Sequence, residues 1–304
     1  MGSLHGFQID SDRRLSRLSE ADGPLGTIEV RQAAGSLLTD PAEITQIILA
    51  ADCTPSHLRA SRGDRLLTWS FDAGSYEADP EAARVMHQEA DATASQGAVR
   101  WEDRLSSTAI PLMLGERGGL PVHASAVRLG SSALLICALS GRGKSTLAAL
   151  MASRGHAQIA EDGVVVFERE GLPVVWPGQI GSLVTDEALA AFGAGAALPE
   201  GTPPDRRGRR FRLIGEPVQE PTPVGAVAIL MGRGGDRVEV TRPPLPQAHR
   251  ELLVHVLSGG RRSPASFTAS ARLVQRVQIA VITAPDNVET LPGAADALES
   301  LSSD

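Results

Sequence analysis

The run Ser132-Ala-Leu-Leu-Ile-Cys-Ala138 is apolar and the right length for a buried strand. It leads into Leu139-Ser-Gly-Arg-Gly143, after which Lys144-Ser-Thr-Leu-Ala-Ala-Leu-Met151 reads as the start of a helix. Gly141 and Gly143 can take φ > 0, which turns successive backbone N–H groups toward one point at the positive end of that helix. Strand, glycine loop and helix in this order make an anion nest at a sheet edge, and the rest of the chain has to be arranged around it.

The spacing matches G-x-x-x-x-G-K-[ST], the pattern of a nucleoside-triphosphate phosphate loop, except that Ala138 stands at the first glycine. Ser140, Gly141, Arg142, Gly143, Lys144, Ser145 and Thr146 are then the residues expected to bind a nucleoside triphosphate. Lys144 would reach the β- and γ-phosphates, and the Ser145 hydroxyl would ligate Mg²⁺. Lys144 is also the only lysine among 29 basic residues. A compact ammonium is retained at the one place where a point charge on phosphate is wanted, whereas a solvated surface position would have accepted arginine. The alternative is a glycine turn that joins a strand to a helix by chance.

With 304 residues the chain has room for one large or two modest domains. A net charge of −7 argues against a general nucleic-acid binder, which needs a basic footprint. No apolar run approaches the ~18 residues of a membrane span, and the N-terminus lacks a signal-type apolar region, so neither a membrane nor export is expected. The expected location is the cytoplasm. Cys53 and Cys137 fit a reducing compartment, with a single disulfide left open. Aromatic residues make up 3%, which leaves few platforms for base stacking and assigns the core to Leu, Val, Ile and Ala.

Residues 1–110 read as a small α+β lobe, in which 1–23 is a loosely held polar arm, 65–71 a strand and 79–91 a polar helix. The apolar face of 101–114 is suited to dock beneath the next sheet. Residues 111–304 read as an α/β nucleotide-binding domain, a mixed sheet with flanking helices. Within it, 121–127 and 132–138 form a hairpin whose register puts His123 opposite about Cys137, at the mouth of the loop. A strand, helix, strand crossover from 132–138 to the strand before Glu161 makes those two strands parallel, and brings Glu161 and Asp162 across from Lys144 and Ser145. Carboxylates there can hold Mg²⁺ and accept a proton from an attacking hydroxyl. The alternative for Asp162-Gly163 is the turn of a β-hairpin.

Asp205-Arg-Arg-Gly-Arg-Arg-Phe-Arg212 is either a solvated face or the source of an arginine for the transferring phosphoryl group, with Arg209, Arg210 and Arg212 preferred and Arg210 placed in the catalytic set.

Taken together, His123-Ala-Ser-Ala-Val127, Leu139-Ser-Gly-Arg-Gly-Lys-Ser-Thr-Leu147 and Gly155-His-Ala-Gln-Ile-Ala-Glu-Asp162 resemble the catalytic domain of HPr kinase/phosphorylase. They look more closely like the HPr-kinase-like proteins encoded beside peptide natural-product genes, lasso peptides among them. The likeness covers about residues 120–168. It implies a P-loop kinase-like domain of the HPr kinase C-terminal type, using ATP and Mg²⁺ to phosphorylate a serine of a small protein or precursor peptide, with self-association left open. Asp162 carries over as the general base and His123 as a contact to phosphate or acceptor. Ser145, Glu161 and Asp162 carry over as the metal side, Glu161 standing where the family has aspartate. No position matches the family's downstream metal-binding glutamate or its phosphorolysis segment. Two other readings share the loop: a nucleotide-gated regulatory ATPase without an acceptor, and a small-metabolite kinase.

Overall fold

The computed structural model describes residues 2–13, 15, 18–20, 23–34, 37, 44–49, 55–62, 65–70, 74–89, 97–192, 208–231, 237–258, 263–285 and 288–302. Cys53, the connector 195–204 and the start of the arginine run, 205–207, lie outside them.

Eight strands come first: β1 (Gly2–Leu4), β2 (Phe7–Ser11), β3 (Thr27–Gln32), β4 (Ile44–Leu49), β5 (Pro55–Arg62), β6 (Arg65–Ser70), β7 (Gly74–Asp79) and β8 (Arg84–Glu89). They make one sheet in the order β1-β2-β3-β8-β7-β6-β5-β4, with β3 parallel to both of its neighbours. Two expectations are overturned here. The arm at 1–23 contains β1 and β2, whose Leu4, Phe7 and Ile9 are buried, so a few alternating apolar side chains were enough to pin a polar segment. Of the stretch 79–91, the described residues 79–89 form a tight turn and β8 rather than a helix. The Ala and Glu content of 81–83 favours helix by propensity, but burial of Val85 and His87 at a period of two decides for a strand.

α1 (Gly97–Arg104), a π-helical turn (Leu105–Ala109) and α2 (Ile110–Glu116) follow without a break, so helix runs through position 110. Trp101, Leu105, Ile110 and Met113 pack against Leu4, Ile28, Val30 and Tyr76 of the first sheet and against Val165 of the second. Each of these fully buried aliphatic side chains contributes ~1.5–3 kcal/mol. The Tyr76 hydroxyl donates to the Trp101 carbonyl at 2.6 Å, which satisfies the polar end of a buried ring.

The remaining elements are β9 (Leu120–Val122), β10 (Ala124–Leu129), β11 (Ser132–Ala138), α3 (Lys144–Ser153), β12 (Gln158–Ala160), β13 (Val164–Arg169), β14 (Leu172–Val175), β15 (Ser182–Val184), α4 (Asp186–Phe192), β16 (Arg210–Arg212), β17 (Thr222–Met231), β18 (Glu239–Thr241), α5 (Leu245–Leu253), α6 (Pro264–Arg276), β19 (Gln278–Thr283) and α7 (Leu291–Glu299). The second sheet follows β12-β10-β11-β17-β14-β13-β9, with β19 on β17 and β18 on β19. β11, β17 and β19 are parallel. On β11, Leu135 and Cys137 face a cluster with Leu252 of α5 and Leu273 of α6, while Leu134 and Ile136 face Leu147 of α3 and Leu298 of α7. Helices therefore cover both faces, and the molecule is a mixed α/β fold.

The curl of this sheet positions the site. β17 pairs with β14 near its start and with β11 and β19 farther along, so the sheet turns a corner. The chain crosses that corner twice, at His123 between β9 and β10 and at 161–163 between β12 and β13. Because β9 pairs with β13 and β10 pairs with β12, the two crossings lie side by side. The β10–β11 hairpin has Ala124 opposite Cys137, one residue from the expected register. β12 runs parallel to β11 with β10 between them, and Asp162-Gly163 is not a hairpin turn, since β13 pairs with β9 and β14.

Candidate active site

The last residue of β11 and the first of α3 are joined by the glycine loop, in which Gly141 and Gly143 have φ of 81° and 88°. Only a residue without a Cβ takes these angles without strain. The loop opens onto a cleft of about 430 Å³ lined by Ser140, Gly141, Arg142, Gly143, Lys144, Ser145 and Thr146, together with His123, Asp162, Arg209 and an aliphatic wall that includes Leu230, Met231, Ile282 and Leu291. Every residue expected to bind the nucleotide lies on this cleft.

Lys144 is buried, 6% exposed, and its ammonium is surrounded by oxygen. Nζ donates to Asp162 Oδ1 at 2.8 Å, to Glu161 Oε1 at 3.4 Å and to Ser125 Oγ at 3.4 Å. Burial alone would lower its pKa, but Asp162 and Glu161 reverse that and hold it above the ordinary lysine value. Asp162 Oδ1 also receives His123 Nε2 at 3.0 Å. Burial would raise the Asp162 carboxyl, yet Lys144 and His123 together hold it well below the usual carboxylate range. Ser145 Oγ donates to Glu161 Oε1, so the loop hydroxyl and the first acidic residue are in direct contact.

Asp162 has φ of 65°, a left-handed conformation that aspartate tolerates better than most residues. Behind it the chain is held closely: a Cβ on Gly163 would stand 2.5 Å from the Ser107 carbonyl oxygen in the π-helical turn. The π-helical turn thus packs directly against the residue that follows the acidic pair.

Glu161 Oε2 is buried and makes no hydrogen bond among the described residues. An unpaired carboxylate oxygen beside the Ser145 hydroxyl is a donor set that suits a hard divalent ion, so Ser145 and Glu161 fit Mg²⁺, with Asp162 on the open side. No cluster of three or more His, Cys, Asp or Glu able to hold a metal occurs among the described residues. Mg²⁺ does not need one, because it takes one or two carboxylates plus phosphate oxygens and water.

The arginine run divides by strand alternation. Arg212, buried, pairs with Asp186, and Arg210 Nε lies 3.7 Å from the same carboxylate. Arg210 is therefore turned to α4 and does not line the cleft, in contrast to its expected place on the phosphoryl group, whereas its neighbour Arg209 does line it. Two contributors were not expected from sequence. Ser125 lies two residues beyond His123, where a period of two would have put it on the same face. His255 accepts the His123 backbone N–H at 2.8 Å through its own carbonyl. Its imidazole is pushed down to about 4 by burial, with His123 and Lys144 adding to the effect. Cys137, beneath the loop, is a free buried thiol pushed up to about 12 by burial.

No helix among the described residues is long and apolar enough to cross a membrane. No family model matches the chain, and no curated protein matches it. Among solved structures, the Hpr(Ser) kinase/phosphatase from Coxiella burnetii is similar at 13% identity with a TM-score of 0.30, over 60% of this chain and 93% of that one. A likeness of that size carries no functional argument, so function has to be argued from the side chains.

Proposed function

We propose that this protein is an ATP- and Mg²⁺-dependent kinase that phosphorylates a serine hydroxyl of a small protein or precursor peptide. The observation that carries the reading is that one carboxylate oxygen, Asp162 Oδ1, is within hydrogen-bonding distance of both the loop lysine and His123, at the open side of the glycine loop.

Loop amides and Lys144 stabilise charge on the phosphoryl group, and Arg209 adds a second cation from the facing wall. Ser145 and Glu161 would hold Mg²⁺, which when bound would supply charge neutralisation of the phosphates. The acceptor oxygen forms its bond to the γ-phosphorus, the bond to the β–γ bridging oxygen breaks, ADP leaves, and the hydroxyl proton passes to Asp162. Asp162 is a weak base while Lys144 rests on it, because its pKa is depressed. Movement of the ammonium onto the phosphates removes that contact, so basicity returns once nucleotide is in place. His123, next to the same oxygen, orients Asp162 toward the acceptor.

The test is incubation of the full chain with γ-labelled ATP, Mg²⁺ and candidate small proteins or precursor peptides, followed by intact-mass analysis and mapping of the modified residue. Label on a serine supports the kinase. Nucleotide turnover that leaves every acceptor unlabelled turns the reading to a gated ATPase.

A further inference from the structure

The turn between β1 and β2, His5-Gly6, does not line the cleft and is packed against segment 176–179. His5 N–H donates to the Pro177 carbonyl at 2.7 Å. A Cβ on Gly6 would stand 2.7 Å from the Trp176 ring, and one on Gly178 would stand 2.8 Å from His5 Cε1 and 2.7 Å from the Ala160 methyl. The imidazole thus lies over Gly178 against the residue that precedes Glu161. On its other edge, segment 176–179 pairs with the end of β12: Gly178 N–H donates to Ile159 and Glu161 N–H to Gln179, both at 2.9 Å. The Gln179 amide donates to Asp103 of α1 at 2.9 Å, which ties the segment to the helical run as well.

His5 is costly where it is. It is fully buried, has φ of 53°, and neither ring nitrogen has a hydrogen-bond partner among the described residues. Burying a polar ring unpaired and straining its backbone both oppose folding, and an apolar side chain would avoid the first. The contacts of His5 run to segment 176–179, which in turn is hydrogen-bonded to the backbone that carries Glu161.

We infer that His5 is a positioning residue for the metal side of the site: the β1–β2 turn wedges segment 176–179 against β12 and so fixes Glu161 against Ser145 and Lys144. This rests on the kinase reading, in which Glu161 and Ser145 hold Mg²⁺. It also gives residues 1–110 a part in the chemistry, since their first turn sets the geometry of a carboxylate on the second sheet.

The experiment is equilibrium ATP binding by the full chain, titrated with MgCl₂ and repeated in EDTA, for wild type, His5→Asn and Val85→Ala. Asparagine tolerates the left-handed backbone but withdraws the ring. Val85→Ala loosens the core of the same sheet without touching the turn. The expected result is a half-saturating Mg²⁺ concentration ~10–100-fold higher for His5→Asn, as when the support behind a metal ligand is lost, with ATP binding in EDTA unchanged and Val85→Ala at the wild-type value. If His5→Asn does not fold, Asp103→Ala cuts the second tie and is expected to shift the titration in the same direction. An unshifted Mg²⁺ dependence in a folded variant, or an equal shift in Val85→Ala, overturns the positioning role alone. A wild-type protein whose ATP binding ignores Mg²⁺ overturns the kinase reading and this inference with it.

Discussion

Lys144 Nζ and Asp162 Oδ1 stand 2.8 Å apart, joining the first residue of the helix after the glycine loop to the residue at which the chain crosses the sheet corner. Each alters the other: the carboxylate keeps a buried ammonium charged, and the ammonium holds the carboxyl ionised far into acid. In the proposed kinase, the same contact is the one nucleotide would have to break for Asp162 to act as a base.

Lys144→Ala is expected to lower ATP affinity by at least about tenfold, a charged hydrogen bond to phosphate being worth ~1.5–3 kcal/mol, and to abolish transfer. Lys144→Arg is expected to fail as well, because a planar guanidinium does not fit a site that is 6% exposed and shaped around a single Nζ. Calorimetric titration with ATP and Mg²⁺ measures both.

Arg209 and Arg210 are neighbours with opposite expectations. Arg209→Ala is expected to cut the transfer rate by ~10–100-fold, the equivalent of ~1.5–3 kcal/mol, with little change in thermal stability. Arg210→Ala loses a partly exposed ion pair with Asp186, worth no more than ~1 kcal/mol, and is expected to transfer at close to the wild-type rate. Transfer rates and melting temperatures of the two variants separate the roles.

Gly163→Ala places a methyl group 2.5 Å from the Ser107 carbonyl oxygen, a contact that backbone must move to relieve. The expected cost is ~1–3 kcal/mol by urea denaturation, together with reduced transfer, since the shift falls on the neighbour of Asp162.

The pH dependence of stability has a definite sign. The Asp162 carboxyl is lower in the native state than its ordinary 3.8, so the unfolded chain binds more protons. Its contribution is fully present above about pH 4 and is lost as pH falls through the native value. Urea denaturation at pH 5 and pH 3 is expected to show wild type losing more stability across that interval than Asp162→Asn, which has no carboxyl to protonate.

Much of the second sheet was legible in the sequence because its signals are local. The β10–β11 hairpin follows from two apolar runs and a short turn, and the loop from glycines at fixed spacing. His123, Glu161 and Asp162 could be placed near Lys144 because register and crossover rules propagate a local signal to a neighbouring strand. The rest depended on contacts that no short window contains. The first strands carry too few apolar residues to stand out, and Leu4, Phe7 and Ile9 make sense only once the helix at 97–116 covers them. Arg210 was preferred over Arg209 because composition cannot say which face of a three-residue strand turns to Asp186. His5 gave no signal, since a lone histidine in a polar segment reads as surface until segment 176–179 closes over it.

The most direct measurement compares wild type and Asp162→Asn in one single-turnover experiment with γ-labelled ATP, Mg²⁺ and an acceptor peptide, recording bound nucleotide and labelled serine together. The account predicts that Asp162→Asn holds ATP with an affinity within about threefold of wild type, while transfer falls by on the order of 100-fold or more, the usual contribution of a positioned general base. Transfer by Asp162→Asn at near the wild-type rate would contradict it.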